Sequence, residues 1–148
     1  RPSAEAGAIR LIADVSAPLP LLWVDPVRLR DAVERLMLNA VKFTPKGGTI
    51  QIRADLAPDE RVRIAIRDSG IGMSDEDLAR IVQPFQQADM RLGRTYGGLG
   101  LGVPLALGII KRHGGSLDYE SAPGIGTTAI VTMPATRILR DSGFTSAA

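Results

Sequence analysis

The chain contains no cysteine and a single histidine, His113. Disulfides, cysteine-ligated zinc and thiol catalysis are thereby excluded, and so is a multi-histidine metal site. An excess of one charge is also missing: 18 Lys plus Arg stand against 16 Asp plus Glu, a net charge of +2. Nothing in that balance suggests nucleic-acid binding. The most apolar stretch, residues 97–110, is broken by glycines and by Pro104, too short and interrupted to cross a bilayer. The opening RPSAEAGAIRL is neither signal-like nor Met-initiated, and it reads as the start of a piece cut from a longer protein.

What is present is an ordinary globular composition, 45% apolar and 23% charged over 148 residues. That length suits one domain with a real core. Residues 8–15 read as a strand, SAPLP breaks it, and LLWV at 21–24 reads as a short second strand. Asp25-Pro26 then opens a helix, Asp as N-cap and Pro at the first helical position. Leu29, Ala32, Val33, Leu36 and Ala40 recur at helical spacing and form its core face. The helix is expected to end at Lys42 or Phe43, before Thr44-Pro45.

TIQIRADL (49–56) and RVRIAIRD (61–68) alternate with period two across the turn APDE, a hairpin pattern. Ser74 and Asp77 form a capping-box pair for a short helix ending near Pro84. Residues 85–98 have no period and read as a mobile loop. A helix is expected from about Leu99 to His113, with Lys111 and Arg112 in its last turn and Gly114 beyond. SLDYESA and TTAIVTMP close the chain as a second hairpin turning on PGIG. Hairpins mean antiparallel pairing, so the fold class is α+β: one mixed sheet with helices stacked on one face.

Four features can carry chemistry. Asp68 shares strand parity with Val62, Ile64 and Ile66, so the period points it at the core side. There a carboxylate needs donors; it either caps its own strand-end turn, DSGIGM, or accepts from a ligand's amino group. On the first long helix, Asp31, Arg35, Asn39 and Lys42 fall within about 80° of arc and form a polar stripe opposite the core face, with Asn39 mid-helix beside the core boundary. That stripe is either a solvated face with an Asp31–Arg35 pair or, at Asn39, an amide oxygen able to ligate a hard cation such as Mg2+. The run RTYGGLGLGVP (94–104) fits neither the dinucleotide G-x-G-x-x-G nor the Walker template. Its glycines lead into a helix start, which favours an anion, or serve as hinge and packing glycines. PGIGT (123–127) can be only a hairpin turn.

Taken together, NAVKFT, DSGIGM, GGLGLG and GIGTT, in this order and spacing, resemble the N box and three glycine boxes of the histidine-kinase ATP-binding domain. That domain belongs to the superfamily shared with gyrase, mismatch-repair and chaperone ATPases. The resemblance covers roughly residues 5 to 135, and HGGSLDYES matches the family's segment after its last long helix. It implies a Bergerat α/β sandwich, with about three helices over a mostly antiparallel sheet and ATP under a flexible lid.

By the same resemblance, Asp68 meets the adenine amino group and Thr127 joins it through water. Asn39 ligates Mg2+, Lys42 approaches the phosphates and Phe43 sits by the adenine. Gly70 and Gly72 allow close approach of the base, with Met73 in the same set. Gly98, Leu99, Gly100, Leu101 and Gly102 shape the phosphate loop, and Arg91, Arg94 and Tyr96 lie in the lid. Residues 1–137 then form the catalytic and ATP-binding domain, with 138–148 a disordered tail.

The implied function is transfer of the ATP γ-phosphoryl group to a histidine on a separate dimerisation domain, with Asn39 and Lys42 as catalytic residues. The response regulator is an indirect partner. The isolated domain is expected to be a cytoplasmic monomer and its parent a homodimer anchored at the inner membrane. His113 lies in the HGG segment rather than in a phosphoacceptor box, so the chain is not expected to autophosphorylate alone. Three positions depart from the family pattern. Arg35 replaces a usual Asn, or the Glu base of the ATP-hydrolysing branches, and Arg cannot activate water. Val82 replaces a Phe, and Leu99 a hydroxyl residue. They motivate the alternative of a degenerate kinase acting as an ATP-binding scaffold through protein partners.

Overall fold

The computed structural model describes residues 8–15, 19–81 and 102–139. Five strands form the main sheet: β1 (Arg10–Val15), β3 (Thr49–Leu56), β4 (Val62–Asp68), β5 (Ser116–Ala122) and β6 (Gly126–Met133). Their spatial order is β1-β3-β4-β6-β5. The pair β1–β3 is parallel and the others are antiparallel. The parallel pair follows from connectivity, because helix α1 (Pro26–Phe43) crosses between the two strands. The β3–β4 turn is closed by Ala57 N–H to the Arg61 carbonyl at 2.8 Å, where the sequence places it.

Helix α1 starts as its sequence dictates. The Asp25 carboxylate accepts from the backbone N–H groups of Val27 and Arg28, each at 3.1 Å, and Pro26 opens the first turn. Helix α2 spans Asp75–Ile81, with the Ser74 hydroxyl accepting from Asp77 N–H at 3.2 Å. Helix α3 spans Gly102–Arg112. Ala32, Leu36, Ala40 and Phe43 of α1 and Val103, Ala106 and Ile110 of α3 join Ile50, Ile66, Val131 and Met133 of the sheet in one core. The result is a two-layer α/β sandwich.

Two expectations are corrected here. The short strand β2 (Leu21–Leu22) does not join the main sheet; it pairs antiparallel with β7 (Ile138–Leu139). Residues 138 and 139 therefore belong to the folded domain rather than to a tail starting at 138. The pairing is extended by Trp23 N–H to the Arg137 carbonyl and by the Arg137 guanidinium to the Trp23 carbonyl. The other correction concerns Asn39. Unlike the rest of its stripe, which faces away from the core, this boundary residue is buried with Leu36 and Ala40, because α3 packs along that flank of α1 and covers it.

Candidate functional site

The site gathers where the C-terminal end of β4 meets the start of β6 and the end of β5. Strand register places Asp68 opposite Thr127 and Thr127 opposite Ser121, so the three lie in one row. Asp68 points inward, as its parity predicts, and is 5% exposed. Its Oδ1 accepts from Gly70 N–H at 2.9 Å and from Thr127 N–H at 3.1 Å. Both of these bonds use one oxygen, which leaves Oδ2 for an amino group. Burial pushes the Asp68 carboxyl above its ordinary pKa, and the two backbone N–H groups pull it part of the way back.

Beside it, Thr127 is buried and its hydroxyl lies 2.7 Å from that of Ser121. Ser121 Oγ is a hub. It accepts from Met73 N–H at 2.8 Å and reaches the Gly126 carbonyl at 3.1 Å. This ties the DSGIGM turn to the β5–β6 hairpin. The next inward row comprises Ile66, Ala129 and Tyr119. These side chains, with Leu36, Asn39, Ala40, Phe43 and Met73, line a cavity of about 10 Å³, room for roughly one water.

Asn39 lines this cavity from α1, and its side-chain Nδ2 is buried with no hydrogen-bond partner among the described residues. An orphaned buried amide costs roughly 1–3 kcal/mol, so it fits a place that a bound polar group completes. Gly102, the first residue of α3, faces it: a Cβ there would lie 3.7 Å from Asn39 Oδ1. The start of α3 and Asn39 therefore stand together.

Gly70 and Gly72 are also required by the chain's own backbone. A Cβ on Gly70 would come within 2.2 Å of the Phe43 carbonyl oxygen, and one on Gly72 within 1.9 Å of the Ala122 carbonyl oxygen. The close approach they permit is to the chain's own backbone. Gly72 also has φ +69°. The Phe43 carbonyl accepts from Ile71 N–H at 3.2 Å, which locks the turn onto the end of α1.

Lys42 is exposed in the last turn of α1 and is not among the cavity's lining residues. Arg35 pairs with Asp31 at 3.1 Å. Both border a separate open groove of about 620 Å³ between α1 and α3, together with Pro104, Leu105 and Gly108. Arg91, Arg94, Tyr96, Gly98, Leu99, Gly100 and Leu101, and also Val82, lie outside the described residues. Sequence reasoning missed Ser121, Tyr119 and Ala129. Their signal was available, because Leu117, Tyr119 and Ser121 share one strand parity and Thr127 and Ala129 share another.

A helical layer over a mostly antiparallel sheet, with an inward Asp at a strand end and a buried Asn facing a helix start, defines an ATPase-type sandwich of the Bergerat class. The family model of the histidine kinase-, DNA gyrase B- and HSP90-like ATPases matches residues 24–137, and the chain belongs to that family. It is 37% identical over 138 residues to the non-motile and phage-resistance protein of Caulobacter vibrioides, covering 90% of this chain and 16% of that one. It is 38% identical over 143 residues to the sensor histidine kinase GacS of Pseudomonas protegens, covering 92% of this chain and 16% of that one. The chain thus spans about 16% of the length of these relatives.

Among solved structures, full-length ShkA in complex with AMPPNP superposes with a TM-score of 0.76 at 31% identity, covering 90% of this chain and 27% of that one. The nucleotide-free catalytic domain of the histidine kinase ThkA gives 0.75 at 23% identity, covering 90% of this chain and 85% of that one, a likeness of fold. Among the described residues no helix is long and apolar enough to cross a membrane.

Proposed function

We propose that this domain binds Mg-ATP and serves as the phosphoryl-donating half of a two-component sensor histidine kinase. The observation that carries the reading is Asp68: a buried inward carboxylate whose Oδ1 is occupied by two backbone donors, leaving Oδ2 to accept the adenine amino group. Thr127 and Ser121 extend that polar row, and Phe43 and Met73 supply apolar walls for a base. Asn39 would hold Mg2+ through its Oδ1, which faces the start of α3, while its unpartnered Nδ2 is a donor suited to a phosphate oxygen. When bound, Mg2+ neutralises phosphate charge and holds the phosphate chain in a fixed geometry.

The protein's part is positioning. Asp68 fixes the base, Asn39 fixes the phosphate end, and the positive dipole end of α3 favours an anion there. The γ-phosphoryl group would pass to a histidine of a helical dimerisation domain outside this chain and from there to a response regulator. The parent would be a homodimer, anchored at the inner membrane with this domain in the cytoplasm. Relatives that are sensor kinases, and one neighbour solved with an ATP analogue, support the kinase over the scaffold alternative.

Calorimetry with ATP, with and without Mg2+, tests the binding half. Micromolar binding that is lost in Asp68→Asn and loses its Mg2+ dependence in Asn39→Ala is expected; unchanged affinity in both variants would refute the site. Labelled ATP given to the parent kinase tests the transfer, which is expected to require Asn39.

A further inference from the structure

Tyr119 belongs to none of the four motifs, yet its side chain lines the cavity beside Asp68. It stands on β5 opposite Ala129, two residues before Ser121 and on the same face. Ala129 is the smallest side chain of its row, between Ile66 and Tyr119, and gives the phenol ring room over the sheet. The ring also packs against the core. The space left over Ile66, Ala129, Tyr119, Asp68 and Thr127 of the sheet, beneath the end of α1 and Met73, is about 10 Å³. One water fits that space, and a substituent of several carbons does not.

Resting on the reading of Asp68 as the acceptor of the adenine amine, with this small cavity as the inner end of the nucleotide site, we infer that Tyr119 sets the specificity there: the ring closes the space behind the amine and limits it to an unsubstituted –NH2. The ring is the wall and its bulk does the excluding. A phenol is neutral at pH 7, and burial, with the Asp68 charge nearby, raises its pKa further. The wall therefore adds no second negative charge beside the carboxylate. A base that carries an alkyl or benzyl group on that amine would have to displace the ring, and overpacking of this kind is costly.

The test is calorimetry with ATP and N6-benzyl-ATP on the wild type, Tyr119→Val and Tyr119→Phe. Wild type and Tyr119→Phe should bind ATP and discriminate against N6-benzyl-ATP by at least about 30-fold, within the range that pocket size alone achieves. Tyr119→Val should keep ATP binding and reduce that discrimination to about threefold or less. If Tyr119→Val melts far below the wild type, Tyr119→Leu, which keeps more volume, is put through the same titrations with the same expectation. Equal binding of the two ligands by the wild type overturns the inference, as does continued exclusion of N6-benzyl-ATP by a valine or leucine variant that binds ATP. Failure of the wild type to bind ATP at all overturns the nucleotide reading itself, and the inference with it, which is a distinguishable result.

Discussion

The Nε2 of His113 accepts the backbone N–H of Asp25 at 3.0 Å, joining residues 88 apart in sequence. Its Nδ1 lies 2.9 Å from the Ile109 carbonyl, so Nδ1 carries the proton and donates. The lone histidine thus fastens the end of α3 to the N-cap of α1, and the ring is buried. His113→Ala removes the partner of the part-buried Asp25 N–H and the side-chain donor to the Ile109 carbonyl. It should cost about 1–3 kcal/mol, read as a lower denaturation midpoint in urea, with affinity for adenosine retained by the folded fraction. A midpoint equal to the wild type would contradict this fastening role.

Asp68→Asn should separate binding from stability. The asparagine Oδ1 can still accept from Gly70 and Thr127, while its other atom becomes a donor facing the adenine amino group. ATP affinity should fall by about 10- to 100-fold or more, the scale of a lost hydrogen bond to a charged group.

The same variant carries a pH signature. Burial raises the native pKa of Asp68 above its ordinary value of 3.8. The native state therefore holds this proton to higher pH than the unfolded chain does. The group's contribution to stability is full below the ordinary value and is lost as pH rises through the native one. At neutral pH the buried carboxylate is a standing cost that asparagine removes. The melting-temperature difference, variant minus wild type, should be larger at pH 7 than at pH 4; scanning calorimetry showing it smaller would rule the linkage out.

Gly72 and Gly47 both have positive φ, +69° and +89°. A Cβ at Gly47 would meet nothing within 4 Å, whereas one at Gly72 would meet the Ala122 carbonyl at 1.9 Å. Gly47→Ala should cost about 1 kcal/mol of backbone strain. Gly72→Ala should cost about 2–3 kcal/mol or more, since strain and clash act together. Equal unfolding midpoints for the two variants would show that the backbone contact is dispensable.

Arg35→Ala removes a helix-surface pair with Asp31 at 3.1 Å. Stability should change by about 0.5 kcal/mol or less. Adenosine affinity should stay unchanged, because Arg35 borders the α1–α3 groove rather than the Asp68 cavity. A loss of adenosine binding in this variant would place the base elsewhere.

Much of this was legible in the chain. Period two in RVRIAIRD set Asp68 inward, and Asp25-Pro26 set the start of α1, because both depend on local geometry. Asn39 was harder. A helical wheel puts it at the edge of the apolar face, and only the packing of α3 decides that the edge is covered. The β2–β7 pair joins segments more than a hundred residues apart, with two residues in each strand, too little pattern for a sequence to announce. The purpose of Gly70 was hidden for a related reason: the Phe43 carbonyl that crowds it comes from another element.

The row Asp68–Thr127–Ser121 exists only if β4, β6 and β5 are paired in their native alignment. A slip of one residue along β4 would turn Asp68 outward and bring Arg67, now exposed, to face the cavity. An amine-accepting carboxylate would be exchanged for a cation. A nucleotide titration of this domain therefore counts correctly assembled sheets: the stoichiometry of binding in a refolded sample is a direct measure of the fraction of molecules that found the right alignment.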